Sequence, residues 1–594
     1  MSTLDLAIIG NCQTAALVDA RGRIVWSCYP ALDGDPVFCD LLNGDAGSQN
    51  GFFDVLLEDL ASTEQQYLTN TPILETVLRD RHGGAVKIVD FAPRFRQFDR
   101  HFRPTTIVRY IEPLEGNPRI TIRLRPASEY GSEKPTMTFG SNHIRYVGSE
   151  ITLRLTTDAS VSHVLSERNF VLNRPLTFIL GPDESVRDSV VTMSRRFFER
   201  TRDYWHDWVR TLSIPFEWQD AVIRAAITLK LCTFEDTGAV VAAMTTSIPE
   251  AANTQRNWDY RFCWLRDSFF VAHALNRLGA TNTMEAYLRY ILDLAAGTDG
   301  GLLQPVYGIR GEADLVERVI DSLPGYRDMG PVRVGNQAYE QIQHDVYGSV
   351  IMSATQFFFD RRLSITGSVA QFELLEVLGQ RAIEVHDKPD AGIWEYRGRA
   401  RVHTFSSLMC WAASDRLARI AAHLGLHERS DYWRENAENI REVILQRGYS
   451  EKRNCFVESF DGEDLDASML LVHELGFLPA DDPRFIGTIE AVERELLQDG
   501  HVFRYRSADD FGEPENAFNV CTFWYINALA DCGRTDEARK MFEHMLSRRN
   551  SRGLLSEDLD PATGELWGNF PQTYSMVGII NAALRLSKPW ETAF

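Results

Sequence analysis

Along the first third of the chain, apolar and polar positions alternate with a period of two. In "RITIRLRP", Ile120, Ile122 and Leu124 alternate with Arg119, Thr121, Arg123 and Arg125, the pattern of a strand with one wet face. "HIRYVGSEITLRL" carries two such runs joined at Gly-Ser, which predicts an antiparallel hairpin. Residues 1–195 are therefore expected to form an antiparallel β-sandwich. From about residue 217 the period becomes 3.6: "HDVYGSVIMSATQFFF" sets Val346, Tyr347, Val350, Ile351, Ala354, Phe357 and Phe358 on one broad helical face. Between the two regions, residues 196–216 read as a linker helix, with Phe198, Tyr204, Trp205 and Trp208 available to dock it.

Residues 217–594 are expected to be all helical. The periodicity predicts about twelve segments, near 219–234, 266–279, 282–298, 340–360, 368–386, 405–424, 430–447, 465–475, 486–498, 516–532, 535–548 and 573–587. "FSSLMCWAA", "VCTFWYINALA" and "YSMVGIINAAL" are apolar nearly all round, whereas "SDYWRENAENIREVILQR" and "TDEARKMFEHMLSRR" keep a charged face. A helix apolar on every side must be covered on every side. Six inner and six outer helices in two concentric rings, an (α/α)6 barrel, meet that demand; an irregular bundle is the alternative. No short-period repeat accompanies the alternation.

Composition narrows the partners. The 594 residues hold 62 Lys and Arg against 83 Asp and Glu, a net charge of −21, which repels nucleic acid and anionic membrane surfaces. A neutral ligand escapes that penalty. Nine cysteines lie without CxxC pairs or Cys/His clusters, and neither a basic, apolar amino-terminal leader nor a membrane-length apolar run is present. A cytoplasmic protein with reduced thiols is expected. No cofactor is implied, and no metal-ligand spacing is seen.

Three loops are chemically crowded, each just before an inner-type helix: "NWDYRFCWLRDS" (257–268), "DAGIWEYRGRARVHTFS" (390–406) and "RGLLSEDLDPATGELWGNFPQTYS" (552–575). Glu395 stands between Trp394 and Tyr396, where lost solvation would raise its pKa towards that of a proton donor. A structural carboxylate paired with an arginine is the alternative. Glu557 follows a Gly-Leu-Leu-Ser run in a long Gly- and Pro-containing connection and is the candidate second carboxylate; Asp558 and Asp560 read as turn formers. Arg266 and Asp267 offer donors and acceptors to a polyhydroxylated ligand, and Trp258 and Trp264 offer flat faces to a sugar ring, although a simple ion pair and a large core would use the same residues.

At these loops the sequence resembles glycoside hydrolase family 15, the family of glucoamylases, glucodextranases and bacterial trehalases. "AIIGNCQTAALVDARGRIVWSCYPALDGDPVF", "AAMTTSIPE", "NWDYRFCWLRDS" and "GLLSEDLDPATGELWGNFPQTYS" carry the resemblance nearly end to end. It implies a β-sandwich followed by an (α/α)6 barrel, and hydrolysis with inversion at the non-reducing end of an α-glucoside. It also implies Glu395 as general acid, protonated, and Glu557 as general base, ionised. Tyr260, Trp264, Arg266, Asp267 and Arg504 match residues that hold the terminal glucose, with Trp394 beside them. Two positions depart from the pattern: Met576 stands where a histidine is common, and Tyr396 where some members carry a second glutamate. The leaving-group side is thus the least legible, and α-1,4-, α-1,6-linked glucosides and trehalose stay open. A phosphorylase of similar architecture would lack the second carboxylate, so Glu557 argues against it, and the presence of both glutamates argues against a non-catalytic sugar-binding protein.

Overall fold

In a computed structural model, residues 3–45 and 49–592 are described. The alternating amino-terminal runs form two antiparallel sheets. One is ordered Ala7–Gly10, Ala15–Val18, Ile24–Tyr29, Phe52–Leu57, Arg119–Arg125 and Phe170–Val171, with Asp35–Phe38 added alongside Ile24–Tyr29. The other runs Thr136–Phe139, His143–Val147, Thr152–Thr157, Leu176–Pro182, Ile107–Glu115, Ala85–Phe91, Leu74–Asp80 and Leu60–Tyr67. Strand Arg119–Arg125 buries Ile120, Ile122 and Leu124 and keeps its arginines towards water, as its alternation predicts. Those residues meet Ile88, Ile111, Leu155 and Phe178 of the facing sheet, giving a sandwich with one shared core.

The first sheet is covered on both faces. Its other side, with Leu17, Trp26 and Cys28, joins the core of the helical part, and the Trp26 indole donates to the Met244 carbonyl at 2.8 Å. Helix Val190–Arg210 lies against the outer face of the second sheet through Val190 and Phe197. Its far end inserts Trp205 and Val209 into the helical core.

Twelve helical segments follow in two rings. Leu265–Arg277, Asp345–Ala354, Thr404–His423, the short turns Ala467–Leu470 and Leu471–Glu474, Asn519–Asp531 and Thr573–Leu586 contact one another in a closed inner circuit. Gln219–Leu231, Thr281–Ala296, Val369–Val385, His427–Arg447, Pro483–Glu495 and Thr535–Ser547 lie outside it. Burial follows the predicted polarity: every residue from Asn519 to Leu529 is buried, whereas His427–Arg447 buries only the stripe Ser430, Trp433, Ala437, Ile440 and Ile444. Among the described residues, no helix is long and apolar enough to cross a membrane. All nine cysteines are free thiols.

Candidate active site

The inner helices all begin at the same end of the barrel. Loops entering them build one pocket that opens to solvent. Tyr260, Trp264, Arg266, Asp267, Trp394, Glu395, Arg504 and Glu557, all singled out in the sequence, line it, and so does Trp258.

Glu395 occupies a tight turn in which its own backbone is left-handed, φ 59°. A non-glycine residue held there costs roughly 1–3 kcal/mol, strain that clusters at functional positions. The turn is closed by the amide of Tyr396 bonding the Ala391 carbonyl at 3.1 Å. One carboxylate oxygen, Oε1, accepts from Trp264 Nε1 (2.6 Å), Arg266 Nη2 (3.2 Å) and Gln343 Nε2 (3.2 Å). Oε2 makes no hydrogen bond to the described residues. The Trp394 indole turns aside to donate to Asp466 at 2.7 Å.

Glu557 is deeper, 2% exposed. It precedes the short strand Asp558–Leu559, which pairs with Ala517–Phe518 and Leu566–Trp567. Tyr260 donates its hydroxyl to Glu557 Oε1 at 2.6 Å, and the Tyr260 and Trp264 rings pack edge to face with centroids 5.3 Å apart. The two carboxyl groups therefore hang from the polar tips of one aromatic pair. Gly568, at φ 74°, leaves the space beside Glu557: a Cβ there would stand 2.8 Å from Oε2.

Charge is distributed unevenly between the two sides. Arg504 bonds Glu250 at 2.5 Å and Arg256 grips Asp509 with both nitrogens at 2.7 and 2.6 Å. These pairs leave Glu557 without a cation of its own. Burial first, and the Glu250 carboxylate second, push the Glu557 pKa up to about 8, against the Tyr260 hydrogen bond and Arg504. Both causes of this rise, enclosure and the Glu250 carboxylate, come from the tertiary fold and are invisible in the Glu557 loop itself. Burial also raises Asp267 to about 7, opposed by Arg266. Asp558, expected in a turn, is instead buried on a strand, while Asp560 does cap a turn by accepting from Ala562 N and Thr563 Oγ1.

Glu557 Oε2, Asp267 Oδ1, Arg266 Nε and Arg504 Nε are buried without a hydrogen-bond partner among the described residues. Arg266 Nε and Asp267 Oδ1 face each other as an ion pair at 3.7 Å, and donors and acceptors so concentrated and free of hydrogen bonds suit a ligand dense in hydroxyl groups. Sequence reasoning missed Glu250, Arg256, Gln343, Asp345 and Asp509. Glu250 closes the quoted "AAMTTSIPE" and Asp509 lies five residues after Arg504, while Gln343 and Asp345 stand at the opening of an inner helix as the three crowded loops do. Arg266 Nη1 bonds both, Gln343 at 2.8 Å and Asp345 at 3.3 Å. Among the described residues, no group of three or more His, Cys, Asp or Glu could hold a metal ion.

A sandwich leans on a double-ringed helical barrel that gathers carboxyls, arginines and indoles in one deep pocket, and the family match and the relatives of this chain make it a glycoside hydrolase. The chain belongs to glycosyl hydrolases family 15, whose family pattern residues 218–584 match, and residues 3–171 match the domain described as "Trehalase-like, N-terminal". It is 32% identical to a trehalase of Thermoplasma volcanium over 98% of this chain and 93% of that one. It is 31% identical to a trehalase of Mycobacterium tuberculosis over 99% and 90%. A bacterial glucoamylase solved in complex with acarbose superposes with a TM-score of 0.70 at 14% identity, covering 98% of this chain and 93% of that one, a likeness of fold to an (α/α)6 barrel.

Proposed function

We propose that the enzyme is an exo-acting α-glucoside hydrolase that inverts the anomeric centre, releasing β-glucose from the non-reducing end of short α-glucosides, with α,α-trehalose the first candidate. The observation that carries this reading is the opening of Glu395 and Glu557 onto one pocket, each bonded to the polar tip of a ring in a contacting Tyr260–Trp264 pair. An inverting hydrolase needs its carboxyls roughly 6.5–9.5 Å apart, with space for one water.

In the proposed reaction Glu395 gives its proton to the glycosidic oxygen as the C1–O bond breaks. Water adds to C1 from the opposite face and loses its proton to Glu557. The cycle ends with Glu395 ionised and Glu557 protonated, and exchange with solvent restores both. Arg266, Asp267, Arg504, Trp264 and Tyr260 would hold the terminal glucose, and Trp394 would wall its side. The whole-length trehalase relatives favour trehalose, and nine unpaired thiols favour a reducing, cytoplasmic setting.

Incubation of the purified enzyme with trehalose, maltose, isomaltose and dextrin, with and without phosphate, tests this. Free glucose from at least one disaccharide, independent of phosphate, is expected. Glucose 1-phosphate formed only with phosphate would replace the hydrolase by a phosphorylase, and no reaction with any of them would remove the reading.

A further inference from the structure

The pocket wall beside Glu395, on the side least legible in the sequence, has a built rim. Asp509, Asp510 and Phe511 line the same pocket as the two carboxyls, yet residues 508 and 510–513 are solvent-exposed, so this turn has one edge on the cavity and the other on water. Three anchors fix it. Asp509 is held by both terminal nitrogens of buried Arg256 and by the Tyr505 hydroxyl at 2.5 Å, and Arg256 also donates to the Gly512 carbonyl at 2.9 Å. Asp510 Oδ2 accepts the backbone amides of Arg397 and Gly398, at 2.8 and 2.9 Å, within three residues of Glu395. A Cβ at position 398 would run into Asp510 Oδ1, so a side chain there would push that carboxylate aside. The Phe511 ring meets the Trp258 indole edge-on, centroids 5.3 Å apart. Arg397 lies over that indole at 4.1 Å and is tied back to Glu317 at 2.9 Å.

We propose that residues 508–513 are a strap that closes the leaving-group side, so that the pocket admits one sugar ring beyond the bond that is cut and the enzyme acts on two-ring glucosides. This rests on the glucosidase reading above. A proton moving from Glu395 to the glycosidic oxygen requires the leaving ring to lie beside the 395–398 segment. The wall it meets there is Arg397, Trp258, Phe511 and the Asp509–Asp510 carboxylates, apolar faces and charged groups suited to one pyranose and its hydroxyls. A third ring would have to pass where Asp510 bonds the 397–398 backbone and Phe511 touches Trp258. Clearing that path breaks two hydrogen bonds and an aromatic contact, a repulsive element against longer chains.

The test is kcat/KM for the full-length enzyme on trehalose, maltose, maltotriose and maltopentaose, repeated with the double variant Asp510→Ala/Phe511→Gly. Wild-type enzyme is expected to favour its best disaccharide over maltotriose and maltopentaose by about 100-fold or more, and the variant to narrow that ratio about tenfold. A wild-type enzyme that cleaves all lengths within about threefold of one another leaves the glucosidase reading standing and overturns the strap. So does a folded variant with an unchanged ratio. If none of these sugars is cleaved, the glucosidase reading fails and takes the strap with it. Should the variant not fold, the wild-type length profile alone decides.

Discussion

At the scale of single residues, the site is organised by what each carboxyl can share. Glu395 has three N–H donors on one oxygen and the other free of them, whereas Glu557 has a phenol on one oxygen and enclosure around the other. If they are the acid and the base, Glu395→Gln and Glu557→Gln should each lower kcat by about 10²–10⁴-fold while glucose binding, followed by calorimetry, changes little. A rate within a few-fold of wild type in either variant would remove that residue from the mechanism. The pH profile follows from the same environment. A base must be ionised to act, and with the Glu557 pKa raised to about 8, kcat/KM should fall about tenfold per pH unit below that point. Because the Glu250 carboxylate contributes to the rise, Glu250→Gln should move this acid limb to lower pH; a limb that stays in place would show that another group sets it. Only part of this was legible in the sequence. Glu395 and Glu557 stood out by aromatic and Gly/Pro neighbours in the chain, but the groups that set the Glu557 environment, Glu250 and Arg504, lie far away along it. Trp394 shows the reverse: a neighbour in sequence whose polar end turns to Asp466.

At the scale of elements, the barrel depends on close approach of inner helices. Gly348 lets Asp345–Ala354 pass so near Thr404–His423 that an added Cβ would run into the Met409 carbonyl. Backbone cannot yield as a flexible side chain does, so Gly348→Ala should cost about 1–3 kcal/mol by overpacking, read as a lower midpoint in denaturant unfolding. A neutral change would mean that the two helices separate at no cost. Helix polarity made the two rings predictable: a segment such as Asn519–Asp531, apolar around its circumference, leaves few other placements. The same polarity could not reveal which loop residues face the pocket, since side chains pointing inward and outward from a loop have no periodicity to betray them.

At the scale of the whole molecule, the sandwich supports the pocket as well as covering the barrel. Arg261, one residue from Tyr260, is fully buried and paired with Asp259 at 2.7 Å, and it reaches the sandwich to donate to the Gly34 carbonyl at 2.7 Å. Arg261→Ala would strand a buried carboxylate and release this tether, at a cost of about 3–5 kcal/mol. Because the tether positions the strand-to-helix loop that carries Tyr260 and Trp264, kcat/KM should fall as well, even at temperatures where the protein stays folded. Unchanged kinetics would assign the contact to stability alone. The most direct test of the account asks which anomer is made. Proton NMR of trehalose hydrolysis, recorded before mutarotation, should show α- and β-glucose appearing in equal amounts, the β-anomer from the ring attacked by water and the α-anomer from the leaving ring. α-Glucose alone would mean retention, and would contradict a water-activating Glu557 opposite a proton-donating Glu395.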